Sequence, residues 1–214
     1  MHNVAPVGYL RGCFREKFAI PRQPQLAPAA RGVVELLAPF NSGAAVAGLE
    51  QVSHVWLLFL FHQALEEQPR LKVRPPRLGG NQSIGVFASR STHRPNGIGQ
   101  SVVKLDKVEP ERLWLSGIDL LDGTPILDIK PYVPYADSLT QACNGIAEAT
   151  PATIPVDWQP GALEQARLHG LRDGSRLAGA RRRVSRAAES HPRLPRATPD
   201  RRRNRLAGDA LQSA

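Results

Sequence analysis

A chain of 214 residues with 42 % apolar and 22 % charged side chains can bury one sizeable core, so neither disulfides nor a structural metal is needed to rescue an undersized fold. Its two cysteines, Cys13 and Cys143, form no CxxC pair, which excludes a disulfide framework and a cysteine zinc finger and points to a reduced, cytosolic setting. The net charge of +9 is unevenly placed: residues 1–163 hold 15 Lys+Arg against 14 acids, whereas residues 164–214 hold 13 Arg, no Lys and 5 acids, so the excess belongs to the last quarter.

Met1-His2-Asn3-Val4-Ala5-Pro6 has no basic leader before an apolar stretch, so no signal peptide is expected. Short β-rich runs then alternate with Gly, Pro and Asn clusters, and predict strands over Val4–Leu10, Gly32–Pro39, His54–Gln63, Ser83–Ala88, Ser101–Val108, Leu113–Ile118 and Pro125–Val133. Only Ala44–Gln51 reads as helical before the tail. Glu109-Pro110-Glu111-Arg112 joins two of the strands and predicts a hairpin with a four-residue loop, with Val103 and Leu105 sharing a face with Leu113 and Leu115. Seven short strands of this kind predict a mainly β fold, a small antiparallel β-barrel with short helical insertions, because closure removes exposed edges. The run Val55 to Phe61 is the longest apolar stretch, far short of a membrane span. It shows no polar alternation, so as a strand it needs cover on both faces, and a symmetric dimer is one way to supply it.

The tail has another composition. After Trp158 there is no aromatic residue, and Arg181-Arg182-Arg183 and Arg201-Arg202-Arg203 stand among Ala, Gly and Pro. Such a segment cannot bury enough apolar surface to offset its ordering entropy. It reads as an irregular basic C-terminal tail: an RNA-binding arm, a solvated tail, or a frameshifted terminus, the last fitting arginine use without lysine.

The densest polar segment is Gly85-Val86-Phe87-Ala88-Ser89-Arg90-Ser91-Thr92-His93-Arg94-Pro95-Asn96-Gly97-Ile98-Gly99, in which a strand runs into a loop of arginines, hydroxyls and glycines suited to an anionic or nucleotide-like ligand. Arg74-Pro75-Pro76-Arg77-Leu78-Gly79-Gly80-Asn81 precedes it with a similar make-up. Asp119, Asp122 and Asp128 invite a metal hypothesis, but their spacing does not follow a calcium loop, and Asp128 falls in a strand on the side of Lys130. His54 and His62, eight residues apart in one strand, would lie about 26 Å apart and cannot share a metal; hydrogen-bonded structural histidines are expected. No nucleophile elbow, Walker loop or GxGxxG is present to support a serine-hydrolase, P-loop or Rossmann reading.

Four ordered segments carry a family resemblance: Glu16-Lys17-Phe18-Ala19-Ile20-Pro21-Arg22-Gln23-Pro24, Arg74 to Asn81, Gly85 to Gly99, and Asp122-Gly123-Thr124-Pro125 through Asp128-Ile129-Lys130-Pro131-Tyr132. Over residues 5–160 the chain resembles the TsaA-like (TrmO-type) tRNA (adenine-N6)-methyltransferases. The resemblance implies a β-barrel homodimer that binds S-adenosylmethionine near the subunit interface and methylates N6 of threonylcarbamoyladenosine beside the anticodon of threonine tRNA, in the cytoplasm. It puts the cofactor pocket on Gln23, Pro24, Gln25, His62, Gln63, Arg90, Gln100, Leu121, Asp122, Gly123 and Thr124. Arg90 would then pair the methionine carboxylate, and Asp122 a ribose hydroxyl or the sulfonium. Arg74, Arg77 and Arg94 are candidates for phosphate contact with tRNA. No general base and no metal site are assigned.

Longer bacterial members of this family continue into a small C-terminal domain with an aspartate-proline-arginine-proline segment, which this chain lacks beyond about Asp173. The expected organisation is therefore a barrel over residues 1–160, followed by a truncated or altered, Arg-rich and disordered region over 161–214. Two rival functions remain: a non-enzymatic RNA-binding β-barrel using the arginine loops, and a metal-dependent nucleotide hydrolase built on the three aspartates.

Overall fold

Strict alternation of buried and outward side chains sets the architecture. In a computed structural model of the chain, which describes residues 3–75 and 82–148 and a few positions between 150 and 165, six strands close into an antiparallel barrel. They are β1 (Gly8–Gly12), β2 (Arg31–Leu36), β3 (His54–Leu60), β6 (Ile98–Glu109), β7 (Arg112–Ser116) and β8 (Pro125–Pro131), in the order β1-β2-β7-β6-β3-β8. A separate two-stranded ribbon pairs β4 (Lys72–Val73) with β5 (Ile84–Gly85). Helical structure among the described residues is short: α1 (Gly43–Val46), α2 (Pro134–Asp137) and single 3-10 turns. No helix among them is long and apolar enough to cross a membrane.

The core is the barrel interior. Leu10, Val34, Val55, Leu57, Val103, Leu113, Leu115, Ile118, Leu120 and Ile126 are buried there. Each such side chain contributes roughly 1.5–3 kcal/mol relative to exposure. Val103 and Leu105 do share the inner face with Leu113 and Leu115, as expected.

Three expectations are corrected. Strand β1 begins at Gly8 rather than Val4, because Pro6 has no N–H for the ladder and pairing with β2 runs from Gly8↔Leu36 to Gly12↔Gly32. The hairpin loop has two residues, since Glu109 and Arg112 already pair. Asp106 is the extra residue of a bulge between Leu105 and Lys107, and its carboxylate accepts from Arg31 and from Ser116 Oγ. The predicted strand Ser83–Ala88 shrinks to Ile84–Gly85, followed by a 3-10 turn over Val86–Ala88, because Ser89 Oγ and Arg94 Nη1 both donate to the carbonyl of Val86. In β3, Val55, Leu57 and Phe59 point into the core, while Trp56, Leu58 and Leu60 point outward and are half-buried within the single chain, the face for which a partner subunit was expected as cover.

The strand registers decide what lies at each barrel end. Gly12 pairs with Gly32, Arg31 with Ser116, Ser116 with Lys104, Leu60 with Ile98, and Tyr9 with Pro125. One rim therefore collects the β1–β2, β3–β6 and β7–β8 connections. The other collects the β2–β3 connection and the tight β6–β7 hairpin.

Candidate functional site

Every residue named for the cofactor pocket falls on the first of those rims. Gln23, Pro24 and Gln25 lie in the β1–β2 connection, His62 and Gln63 follow β3, Arg90 lies in the β3–β6 connection, Gln100 is near the start of β6, and Leu121 to Thr124 join β7 to β8. Segments up to about 100 residues apart in sequence are brought together by barrel closure alone. The rim is open to solvent, with Gln25, Gln63, Arg90 and Gln100 exposed.

Two features hold its polar groups. Arg90 Nη1 donates to Gln23 Oε1 at 2.6 Å, tying the signature loop to the β1–β2 connection. Beneath them, Asp119 follows the fully buried Ile118 and precedes Leu120, so its carboxyl is held in an apolar environment. Burial pushes that carboxyl up to about 6, against Ser101, its own backbone N–H and the positive charge of Arg90, which all act to lower it. Its Oδ1 is buried with no hydrogen-bond partner.

The Asp122-Gly123 turn is fastened to β1. Asp122 Oδ1 accepts from the Gly12 N–H at 2.9 Å, and the N–H groups of Asp122 and Gly123 donate to the carbonyls of Phe14 and Leu10. Gly123 adopts φ +77°, the left-handed region that favours glycine, and a Cβ built there would meet nothing within 4 Å. Thr124 is buried, with Oγ1 donating to the carbonyl of Leu121. The turn thus presents backbone to open space while its side chains brace it. An orphaned buried acceptor, a fixed guanidinium and an open backbone turn on one rim fit a ligand that brings both charge and a nucleoside, as S-adenosylmethionine does.

Other named residues are placed less centrally. Gln100 pairs with Leu58 and points outward, on the face opposite Ser101. Arg74 is exposed beside the β4–β5 ribbon, and Arg77 lies outside the described residues, as does most of 161–214. Arg94 Nη1 donates to the carbonyls of Val86 and Ser89, and its guanidinium lies 5.6 Å from the Phe87 ring centre, so it shapes the signature loop. His93 Nδ1 lies 3.0 Å from Glu66 Oε1 without hydrogen-bond alignment. His54 Nδ1 is bonded to Ser53 Oγ at 2.9 Å, the structural histidine expected. The three aspartates diverge: Asp119 is buried, Asp122 braces β1, and Asp128 sits exposed on β8 with Lys130 Nζ at 3.8 Å. No three metal-ligating side chains gather among the described residues.

The sequence singles out Asp119 only as one of three aspartates for a metal, and its place beside Ser101 and Arg90 comes from the structure alone. Sequence reasoning missed an outer groove of about 670 Å³ lined by Arg11, Arg15, Arg31, Lys107 and Trp114. There Arg11 is paired with Glu35 and Arg31 with Asp106, which spends much of the positive charge locally.

Comparison with known proteins decides the family. Residues 9–138 match the family described as tRNA-methyltransferase O N-terminal domain. The chain belongs to that family. It is 52 % identical over 150 residues to the tRNA (adenine(37)-N6)-methyltransferase of Escherichia coli K12, covering 68 % of this chain and 64 % of that protein. It is 74 % identical over 171 residues to the Pseudomonas aeruginosa protein RcsF, named as a candidate S-adenosylmethionine-dependent methyltransferase, covering 80 % of this chain and 71 % of that one. The crystal structure of TrmO from Pseudomonas aeruginosa superposes with a TM-score of 0.75 at 59 % identity, covering 86 % of this chain and 81 % of that one. The family resemblance, the mainly β barrel and the methyltransferase class with S-adenosylmethionine as cofactor are borne out. The rival reading of a non-enzymatic RNA-binding barrel gives way.

Proposed function

We infer that this methyltransferase moves the methyl group of S-adenosylmethionine to N6 of threonylcarbamoyladenosine beside the anticodon of threonine tRNA, as a homodimer in the cytoplasm. The observation that carries the reading is the convergence of Gln23, Arg90 and the Asp122-Gly123 turn on one rim in a chain of the tRNA-methyltransferase O family. The adenine-N6 target is supported by the names of the Escherichia coli and human relatives, the latter 46 % identical over 145 residues. The threonylcarbamoyl group and threonine tRNA rest on the family resemblance.

When bound, the donor supplies a methyl group on a cationic sulfur. The chain's task is then to hold donor and acceptor in line at near-attack distance. Arg90, oriented by Gln23, offers its remaining N–H groups to the methionine carboxylate, and its planar fork suits that group. The Gly123 turn lets a nucleoside approach the backbone closely, while Asp122 keeps the turn locked to β1. The rim is open to solvent, so the proton displaced from N6 would pass to water. Arg74, exposed in the β3–β6 connection, is a candidate for phosphate contact with the tRNA, as are Arg94 in the signature loop and, from the sequence, Arg77.

A homodimer would cover the outward apolar side chains of β3, Trp56, Leu58 and Leu60, with the exposed Ile98 beside them. Gln100 projects from that same face, so such an interface would bring a second subunit next to the pocket. The catalytic barrel is assigned to residues 1–160, and residues 161–214 are Arg-rich in sequence.

The test is transfer of labelled methyl from S-adenosylmethionine to purified threonine tRNA, with and without the threonylcarbamoyl group, followed by nucleoside mapping. Label on N6 only in the threonylcarbamoylated tRNA is expected. Equal labelling of both tRNAs, or label on another atom, would refute the substrate reading. Sedimentation of the same protein is expected to give a dimer, and a monomer at working concentration would remove the interface.

A further inference from the structure

Among the described residues, Asp119 is the carboxylate whose oxygen is buried without a hydrogen-bond partner, and the reading above leaves it without a task. Its Oδ1 has no partner, although an unpaired buried acceptor is costly and native proteins rarely keep one without use. Arg90 is near enough for its charge to act on Asp119, yet the two form no direct ion pair within 4 Å. Arg90 instead spends a hydrogen bond on the neutral Gln23. An exposed cation and a carboxylate with an unpartnered buried oxygen, on one rim and with no ion pair between them, match the two ends of a zwitterion: a carboxylate toward the guanidinium, an ammonium toward the carboxylate.

We propose that Asp119 is a donor-binding residue, whose unpartnered Oδ1 accepts from the α-ammonium of the methionine moiety while Arg90 takes the carboxylate. This rests on the S-adenosylmethionine pocket described above and extends it to a residue outside the segments that carry the family resemblance. Ser101, buried on β6, and the backbone N–H of Asp119 both favour the charged carboxylate, so the acceptor is preorganised before the ligand arrives. The ammonium, with three N–H donors, satisfies the orphan oxygen that no group of the chain reaches. The charged groups acting on the carboxyl from neighbouring elements reduce to Arg90; Ser101 is neutral.

The experiment is calorimetric titration of full-length protein and its Asp119→Asn variant with three probes: S-adenosylmethionine, S-adenosylhomocysteine and 5′-methylthioadenosine. The second keeps the ammonium without the sulfonium charge, and the third lacks the amino-acid end altogether. Asp119→Asn is expected to weaken S-adenosylhomocysteine by about tenfold to a hundredfold, the range for losing one charge-assisted hydrogen bond, and to leave 5′-methylthioadenosine unchanged. Loss of affinity for all three probes would mean that Asp119 merely shapes the pocket and would overturn the proposal. So would loss confined to S-adenosylmethionine, which would assign Asp119 to the sulfonium. In the wild type, affinity for S-adenosylhomocysteine should fall as pH drops through the range where Asp119 takes up a proton, and the variant should lack that fall; a parallel profile in both contradicts the role. Asp119→Glu, which restores the charge, should recover part of the affinity, and a Glu variant no better than Asn counts against it. If wild-type protein binds none of the three, the cofactor reading itself fails, and this inference with it.

Discussion

Replacing Asp119 by Asn should stabilise the ligand-free protein at high pH, the reverse of what removing a side chain from a packed rim usually does. Burial pushes the carboxyl up to about 6 in the folded chain from 3.8 in the free group. At 1.36 kcal/mol per unit this corresponds to about 3 kcal/mol. Because the folded-state value is raised, the folded chain holds the proton longer than the unfolded one. The favourable contribution is complete below about pH 4 and is lost as pH rises through about 6. Asn keeps the size and can still bond with Ser101 but carries no charge to desolvate. Urea unfolding of ligand-free wild type and Asp119→Asn at pH 5 and pH 8 should give a stability difference that shifts in favour of the variant by about 1.4 kcal/mol between the two conditions, the part of the linkage falling in that window. A difference independent of pH, or one moving toward the wild type at pH 8, would refute the picture of a desolvated carboxylate.

Arg90→Ala should weaken S-adenosylmethionine binding more than tRNA binding, since Arg90 is held by Gln23 over the rim; titrations giving the opposite order would move Arg90 to the RNA face. Gly99→Ala should destabilise the barrel, because the new Cβ would lie 2.4 Å from Phe59 Cε2 and 2.8 Å from Phe61 Cζ. An overpacking cost of roughly 1–3 kcal/mol is expected, read by thermal unfolding, and an unchanged melting temperature would contradict the packing. Deleting residues 173–214 should move the melting temperature by less than about 2 °C, within the shift that 1 kcal/mol causes in a domain of this size, because the barrel closes with residues 8–131. A large drop would mean that those residues pack on it.

Much of this molecule is readable from short signals. Glycine and proline punctuation located six of the barrel strands within a few residues, and alternation correctly paired Val103 and Leu105 with Leu113 and Leu115. Two kinds of information escaped. Local competition for backbone groups is invisible to strand propensity: Ser89 and Arg94 capture the Val86 carbonyl and end a strand that Ser83–Ala88 composition favours. In β3 the period of two is hidden, since both faces carry large apolar residues, although only Val55, Leu57 and Phe59 enter the core. The site was legible where it is made of contiguous motifs, as at Asp122-Gly123. Asp119 was not, because its meaning comes from Ser101 and Arg90, which only barrel closure brings to it.

The central claim is that this rim is a methyl-donor pocket on a tRNA-modifying barrel. Calorimetric titration of the purified full-length protein with S-adenosylmethionine at constant salt, alone and with threonylcarbamoylated threonine tRNA, tests it most directly. Saturable binding of one donor per subunit, retained in the presence of the tRNA, is the predicted result. A folded protein that takes up no donor under either condition would contradict it.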